Sequence, residues 1–153
     1  MRIHSFVCLV AAIAVLSVPS ITYAQAKPRV VDLTGNDQMK YNLTTIAAKP
    51  GETLTVRLKS IGTLPKIAMG HNFVLLAKGT DAAAFANAAA MAGATAYIPA
   101  AMKPKILAMT TLVGPGETVQ VTFKVPATAG SYTYLCSFPG HFLAGMKGAL
   151  VVK

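Results

Sequence analysis

The sequence predicts an all-β sandwich or barrel of short strands with one short inserted α-helix. Three observations carry this: apolar and polar residues alternate over several short segments, Pro-Gly and Ala-Gly pairs mark turns between them, and one alanine-rich stretch breaks the pattern. Of the 153 residues, 54% are apolar and 12% charged, a balance that excludes intrinsic disorder. Basic residues outnumber acidic ones 14 to 5. An acidic surface is therefore excluded, and the positive balance bears on solubility and encounter steering rather than on fold.

The chain opens with Arg2, an uninterrupted apolar run from Phe6 to Leu16, a break at Pro19 and a small-residue cleavage pattern at Thr22-Tyr23-Ala24. This order is that of a secretory signal peptide over residues 1–24, leaving a mature domain at 25–153. A membrane anchor would need ~20 apolar residues, so no membrane insertion is expected after cleavage. Removal of Arg2 takes the net charge from +9 to +8. It also removes His4 and Cys8, so the mature domain keeps Cys136, His71 and His141.

Within the domain, Leu54, Val56 and Leu58 alternate with Thr55, Arg57 and Lys59, the period of a strand with one buried face. Val119, Val121, Phe123 and Val125 repeat it. Further strands are expected over 29–34, 40–47, 71–77, 106–113, 131–136 and 147–153, with turns at Pro50-Gly51, Pro115-Gly116 and Ala129-Gly130. Between them, the segment from Ala82 to Ala96 is mostly alanine, a strong helix former. Asp81 is placed as its N-cap and Gly93 as its stop. With Asn87 as its one strongly polar position, most of this helix is expected to lie against the sandwich. No boundary or repeat divides the domain.

The chemistry concentrates near the C-terminus. Cys136 is expected at a strand end, and His141 and Met146 follow at equal intervals on a loop rich in Pro and Gly. A lone cysteine in an exported protein can be an intermolecular disulfide, an inert buried thiol, a nucleophile or a metal thiolate. Its neighbours decide. Thiolate, imidazole and thioether converge on one loop, and His71, heading an apolar strand far away, could add a ligand from the other side of the sandwich. One thiolate and two imidazoles with a weak axial thioether make the blue-copper electron-transfer site. Structural zinc seldom uses a thioether, so Met146 favours copper. A cysteine hydrolase would need a third group to orient its base, and the loop holds no Asp, Glu or Asn. Taken singly, Met146 and His71 would each pass as core residues and Cys136 as a small hydrophobe; jointly they form one site.

The stretches Gly35-Asn36-Asp37-Gln38-Met39, Leu64-Pro65-Lys66, Met69-Gly70-His71-Asn72-Phe73-Val74-Leu75, Phe138-Pro139-Gly140-His141 and Met146-Lys147-Gly148 resemble the azurin-like cupredoxins from about Val30 to Lys153. The resemblance implies an eight-stranded Greek-key β-sandwich with an inserted helical flap. It implies one type 1 copper ion held by Cys136, His71 and His141, with Met146 as weak axial ligand and the Gly70 carbonyl on the opposite side. Asn72 would tie the ligand loops together, and the amides of Asn72 and Phe138 would donate to the thiolate. Met39, Met69, Phe138 and Pro139 would form an apolar patch around an exposed edge of His141.

Four departures from the family are visible. Four residues rather than three separate His141 from Met146. Arg29 and Gly51 stand where the family carries a disulfide, Ser60 where many members have a non-ligand histidine, and Phe73 where a buried tryptophan is usual. The implied activity is that of a periplasmic, monomeric one-electron carrier cycling between Cu(I) and Cu(II), not an enzyme. Its partners would be redox proteins such as c-type cytochromes or periplasmic reductases and oxidases, docking at the apolar patch, and not nucleic acid. A copper chaperone or storage protein would use the same ligands but release the metal.

Overall fold

The computed structural model describes residues 27–153; the expected signal peptide lies outside the described residues. The strands are β1 (Arg29–Asn36), β2 (Lys40–Tyr41), β3 (Thr45–Ala48), β4 (Thr53–Ser60), β5 (Val74–Leu76), β6 (Ile106–Met109), β7 (Thr118–Lys124), β8 (Gly130–Leu135) and β9 (Lys147–Val152). They form a four-stranded sheet in the order β2-β1-β4-β7 and a five-stranded sheet in the order β3-β9-β8-β5-β6. Each sheet is mixed, with β1 parallel to β4 and β3 parallel to β9. The expected sandwich is present. Among the described residues no helix is long and apolar enough to cross a membrane.

The alternation in β4 places Leu54, Val56 and Leu58 in the core against Leu33, Phe73 and Tyr134. Residues 40–47 do not form the single expected strand. The chain changes sheets there: β2 pairs with β1, whereas β3 pairs with β9. Side chains hold the crossing, since the Asn42 side-chain oxygen accepts from the Thr34 amide at 2.7 Å and the Tyr134 hydroxyl donates to the Leu43 carbonyl at 2.7 Å. This split makes nine strands among the described residues, close to the eight expected.

β5 is buried along its whole length. Phe73 and Leu75 face the inter-sheet core, while Val74 and Leu76 pack on Phe85, Ala89 and Leu135 beneath the helical flap. The flap begins with α2 (Ala82–Ala90), preceded in the chain by the single turn α1 (Lys66–Met69). Asp81 caps α2 as expected, accepting from the amides of Ala83 and Ala84 at 2.9 and 3.0 Å. Two expectations about this helix are corrected. It ends at Ala90 rather than near Gly93, because the Met91 and Ala92 amides tighten onto the carbonyls of Ala88 and Ala89. Only Phe85 and Ala89 are buried; alanine exposes little apolar surface, so the outer face faces water at small cost. Ala96 and Tyr97 then take left-handed φ values of 53° and 63°.

Candidate metal centre

The centre lies at one end of the sandwich, where β8 runs into the Pro-Gly loop. Cys136 directly follows β8 and is fully buried. Its amide donates to the Met146 carbonyl at 3.0 Å, the Met146 amide to the His141 carbonyl at 2.9 Å, and the His141 amide to the Phe138 carbonyl at 3.2 Å. The three loop residues of interest are thus hydrogen-bonded to one another through their own backbones. The four intervening residues fold as a turn, with the Gly145 amide on the Phe142 carbonyl at 3.0 Å and Gly145 at φ 95°. That left-handed φ favours glycine.

His71 enters from the same sheet as Cys136, correcting the expectation that it reaches in from the other side. β5 is the neighbour of β8, with Val74 opposite Leu135. His71 precedes β5 and is held by a two-way backbone bridge to Val113, at 3.0 and 2.7 Å. Asn72 links the two segments as expected: its side-chain Nδ2 donates to the Ser137 hydroxyl at 2.8 Å, and its side-chain oxygen accepts from the Ser137 backbone amide at 2.9 Å. The Tyr41 hydroxyl donates to the Asn72 carbonyl.

The ligating atoms of His71, Cys136 and His141 all lie within 4.8 Å of one another. The Cys136 Sγ is 3.4 Å from His141 Nδ1 and 3.9 Å from the Gly70 carbonyl oxygen. All three side chains are buried, at 0%, 0% and 1% exposure. The exposed His141 edge is therefore corrected: Phe138 covers the ring at 4.8 Å between centroids. Phe138 is itself capped edge-on by Tyr97 at 4.9 Å. Met39, in the β1–β2 turn, and Met69, the last residue of α1, are half-buried, and Met146 is fully buried.

Sequence reasoning missed Gly35. A Cβ there would lie 2.8 Å from Met146 Cε and 2.9 Å from His71 Cδ2. The end of β1, in the opposite sheet, thus presses directly on two of the assigned side chains. A glycine inside a strand is the available signal for such a close approach. Asp37 was also missed as an anchor. Its carboxylate accepts from the Thr63 amide at 2.7 Å and the Thr63 hydroxyl at 3.1 Å, pinning the β1–β2 turn to the segment that leads to His71.

Electrostatically the cluster is poised for a soft cation. Burial pushes the Cys136 thiol up to about 12, against the opposing pull of the Asn72 and Phe138 amides aimed at its sulfur. Burial, with a smaller contribution from His71, pulls His141 down to about 4. Burial lowers His71 as well, although Asp37 acts in the other direction. Both imidazoles are therefore neutral near pH 7 and available as donors. Among the described residues neither ring nitrogen of His71 has a hydrogen-bond partner, and buried polar atoms are rarely left so. The donor set fits one type 1 copper ion: a soft thiolate, two neutral imidazoles and an adjacent buried thioether.

Comparison with known proteins agrees. The family model for copper-binding proteins of the plastocyanin/azurin family matches residues 29–153. Azurin from Pseudomonas chlororaphis is 43% identical over 126 residues, covering 80% of this chain and 97% of that one. Auracyanin-B from Chloroflexus aurantiacus is 49% identical over 83 residues, covering 54% of this chain but only 35% of its own length. The structure of auracyanin A, a "blue" copper protein from the same organism, superposes with a TM-score of 0.73 at 35% identity, covering 83% of this chain and all of that one.

Proposed function

Because the chain belongs to the plastocyanin/azurin family of copper-binding proteins, we propose that it serves as a periplasmic one-electron carrier with no substrate turnover of its own. Bound copper would supply a single redox equivalent by alternating between Cu(I) and Cu(II). His71, Cys136 and His141 would be the strong ligands and Met146 a weak one, with the Gly70 carbonyl oxygen, 3.9 Å from the Cys136 sulfur, as a further oxygen beside the ion. The observation that carries this reading is the burial of three convergent donors, with both His71 ring nitrogens left without hydrogen-bond partners among the described residues.

The protein's part is to hold these donors still. A carrier transfers electrons fastest when little must move. Here the Cys136, His141 and Met146 backbones bond to one another, and His71 is fixed by Val113 and linked through Asn72 to the residue after Cys136. The Asn72 and Phe138 amides directed at the sulfur stabilise its charged form and help set the potential. Burial also disfavours ready release of the metal, which a chaperone would require.

Electron exchange with redox proteins, c-type cytochromes or periplasmic reductases and oxidases among them, would take place over the ligand loop. The short path from His141 to the surface runs through the loop that carries Phe142 and the 80%-exposed Leu143. Ile67, 88% exposed on α1, adds apolar surface next to Gly70 in the chain. Such an apolar face permits close and brief docking.

The test is to load purified protein with Cu(II) and record the visible spectrum, then titrate it with a one-electron reductant and reoxidise it. An intense band that bleaches and returns with one electron is expected, and it should vanish in Cys136→Ser. A Cys136→Ser protein with the same band would overturn the assignment.

A further inference from the structure

The helical flap carries one aromatic ring to the metal centre on a strained piece of backbone. After α2, a 3-10 turn over Gly93–Thr95 leads into two successive non-glycine residues in the left-handed region, Ala96 at φ 53° and Tyr97 at φ 63°. Such residues cost free energy and persist only where their surroundings over-determine them, which happens most at functional sites. Local bonds hold this pair. The Tyr97 amide donates to the Ala92 carbonyl at 2.9 Å, the Ala96 amide to the Gly93 carbonyl at 3.1 Å, and the Ile98 amide to the Thr95 carbonyl at 3.1 Å.

The half-buried Tyr97 ring meets Phe138 edge-on, with 4.9 Å between centroids and 64° between planes. Phe138 in turn lies 4.8 Å from the His141 ring. It also closes on Gly70, where a Cβ would stand 3.3 Å from Phe138 Cδ2 and Cε2, and the Gly70 carbonyl is the one that faces the Cys136 sulfur. Among the described residues Tyr97 is the one partly buried side chain packed against both core clusters, that between the sheets, which contains Cys136 and Met146, and that beneath the flap. A single ring therefore joins the flap to the lid over the donors.

We propose that Tyr97 is a positioning residue for electron transfer: its ring presses Phe138 onto His141 and Gly70, and so makes the flap a working part of the metal centre. The proposal rests on the copper-carrier reading. Two consequences follow from the contact. Water is kept off His141 and Cys136, and the Phe138 amide stays aimed at the Cys136 sulfur. Water beside a metal ion favours its higher charge, whereas an amide donating to the thiolate draws charge away and favours the lower. Loss of the ring acts in one direction through both and lowers the reduction potential. It also frees the His141 ring to move, which slows electron exchange.

The experiment compares wild type, Tyr97→Phe, Tyr97→Ala and Tyr97→Gly over residues 25–153, where Cys136 is the single cysteine. Tyr97→Gly accepts the left-handed φ without cost, so it removes the ring even if Tyr97→Ala folds poorly. In metal-free protein, the rate at which N-ethylmaleimide labels Cys136 reports how often the lid opens. The edge-on pair alone is worth roughly a two- to twelvefold shift in that balance, so Tyr97→Ala and Tyr97→Gly should label faster by at least this factor and Tyr97→Phe at the wild-type rate. In copper-loaded protein the two ringless variants should have a lower potential and slower self-exchange, with Tyr97→Phe again unchanged. Val121→Ala, which loosens the core from β7 in the other sheet, should lower the melting temperature while leaving labelling and potential in place. Ringless variants that label at the wild-type rate, a Tyr97→Phe protein as altered as Tyr97→Ala, or a Val121→Ala protein that reproduces the whole effect would each overturn the proposal. A wild type without a thiolate-to-copper band would overturn the electron-transfer role together with the carrier reading, and the labelling comparison would still decide whether Tyr97 holds Phe138.

Discussion

Replacing Gly35 with alanine adds a single methyl group, and the structure says where it goes. The new Cβ would stand 2.8 Å from Met146 Cε, 2.9 Å from His71 Cδ2 and 3.0 Å from His71 Cγ. Carbon atoms in contact prefer ~3.5–4.0 Å, so both side chains must give. Gly35 is not among the positive-φ glycines, and at such a position alanine ordinarily stabilises by ~0.4–1 kcal/mol through the unfolded chain. Overpacking a filled site costs about 1–3 kcal/mol. The second effect is larger, so Gly35→Ala should destabilise the metal-free protein by about 1–2 kcal/mol, a fall of roughly 3–8 °C in melting temperature for a domain of this size.

The assay is thermal melting of metal-free wild type, Gly35→Ala, Met146→Ala and the double variant. Truncating Met146 removes one obstacle and leaves the His71 ring, so the added methyl should be better tolerated in that background, with a coupling of about 0.5–1.5 kcal/mol. In the copper form, Gly35→Ala should also shift the visible band, because both displaced side chains are assigned as ligands. A Gly35→Ala protein that is more stable than wild type, with an unchanged spectrum, would refute this account of the packing.

Asn72→Ala should destabilise the metal-free protein by about 2–4 kcal/mol, because the Ser137 amide and hydroxyl would both be left buried without their partner; a urea midpoint equivalent to less than 1 kcal/mol of loss would contradict the linking role. Loading with Cu(II) at pH 7 in weak buffer should release about one proton per metal, since the Cys136 thiol, pushed up to about 12, is protonated and both imidazoles are already neutral; an indicator dye reporting none or two would contradict that assignment. Metal-free stability should fall on acidification: the unfolded chain takes up a proton at His141 near 6.5, the folded one only near about 4, so stability is full above ~6.5 and is lost as pH falls toward 4. Urea midpoints that stay level between pH 7 and pH 5 would count against a buried neutral His141.

Much of the centre was legible because its chemistry is written in residue types. Cys136, His141 and Met146 sit within one short loop, and few side chains other than thiolate, imidazole and thioether suit a soft metal. The sandwich was legible where one face of a strand is buried and the other is wet, as in β4. It was illegible where tertiary partners override local pattern. Residues 40–47 alternate well enough for one strand, yet their pairing partners belong to different sheets. β5 lacks alternation because α2 covers its outer face. His71 was assigned to the wrong side because its position relative to Cys136 depends on strand order, and no local pattern reports that β5 and β8 are neighbours.

The four residues between His141 and Met146 fold as a turn, closed by the Gly145 amide on the Phe142 carbonyl and the Ala144 amide on the Gly140 carbonyl. Outside that turn, the bonds from Cys136 to Met146 and from Met146 to His141 set where Met146 stands. Lys40 reaches across from β2 to donate to the Ala144 carbonyl, so the turn is tied to the opposite sheet as well. The position of Met146 is therefore governed by its own amide and carbonyl and by Gly35 beneath it, more than by the count of residues from His141. Changes within the turn should be tolerated if they spare Gly145, whose φ of 95° excludes most other residues.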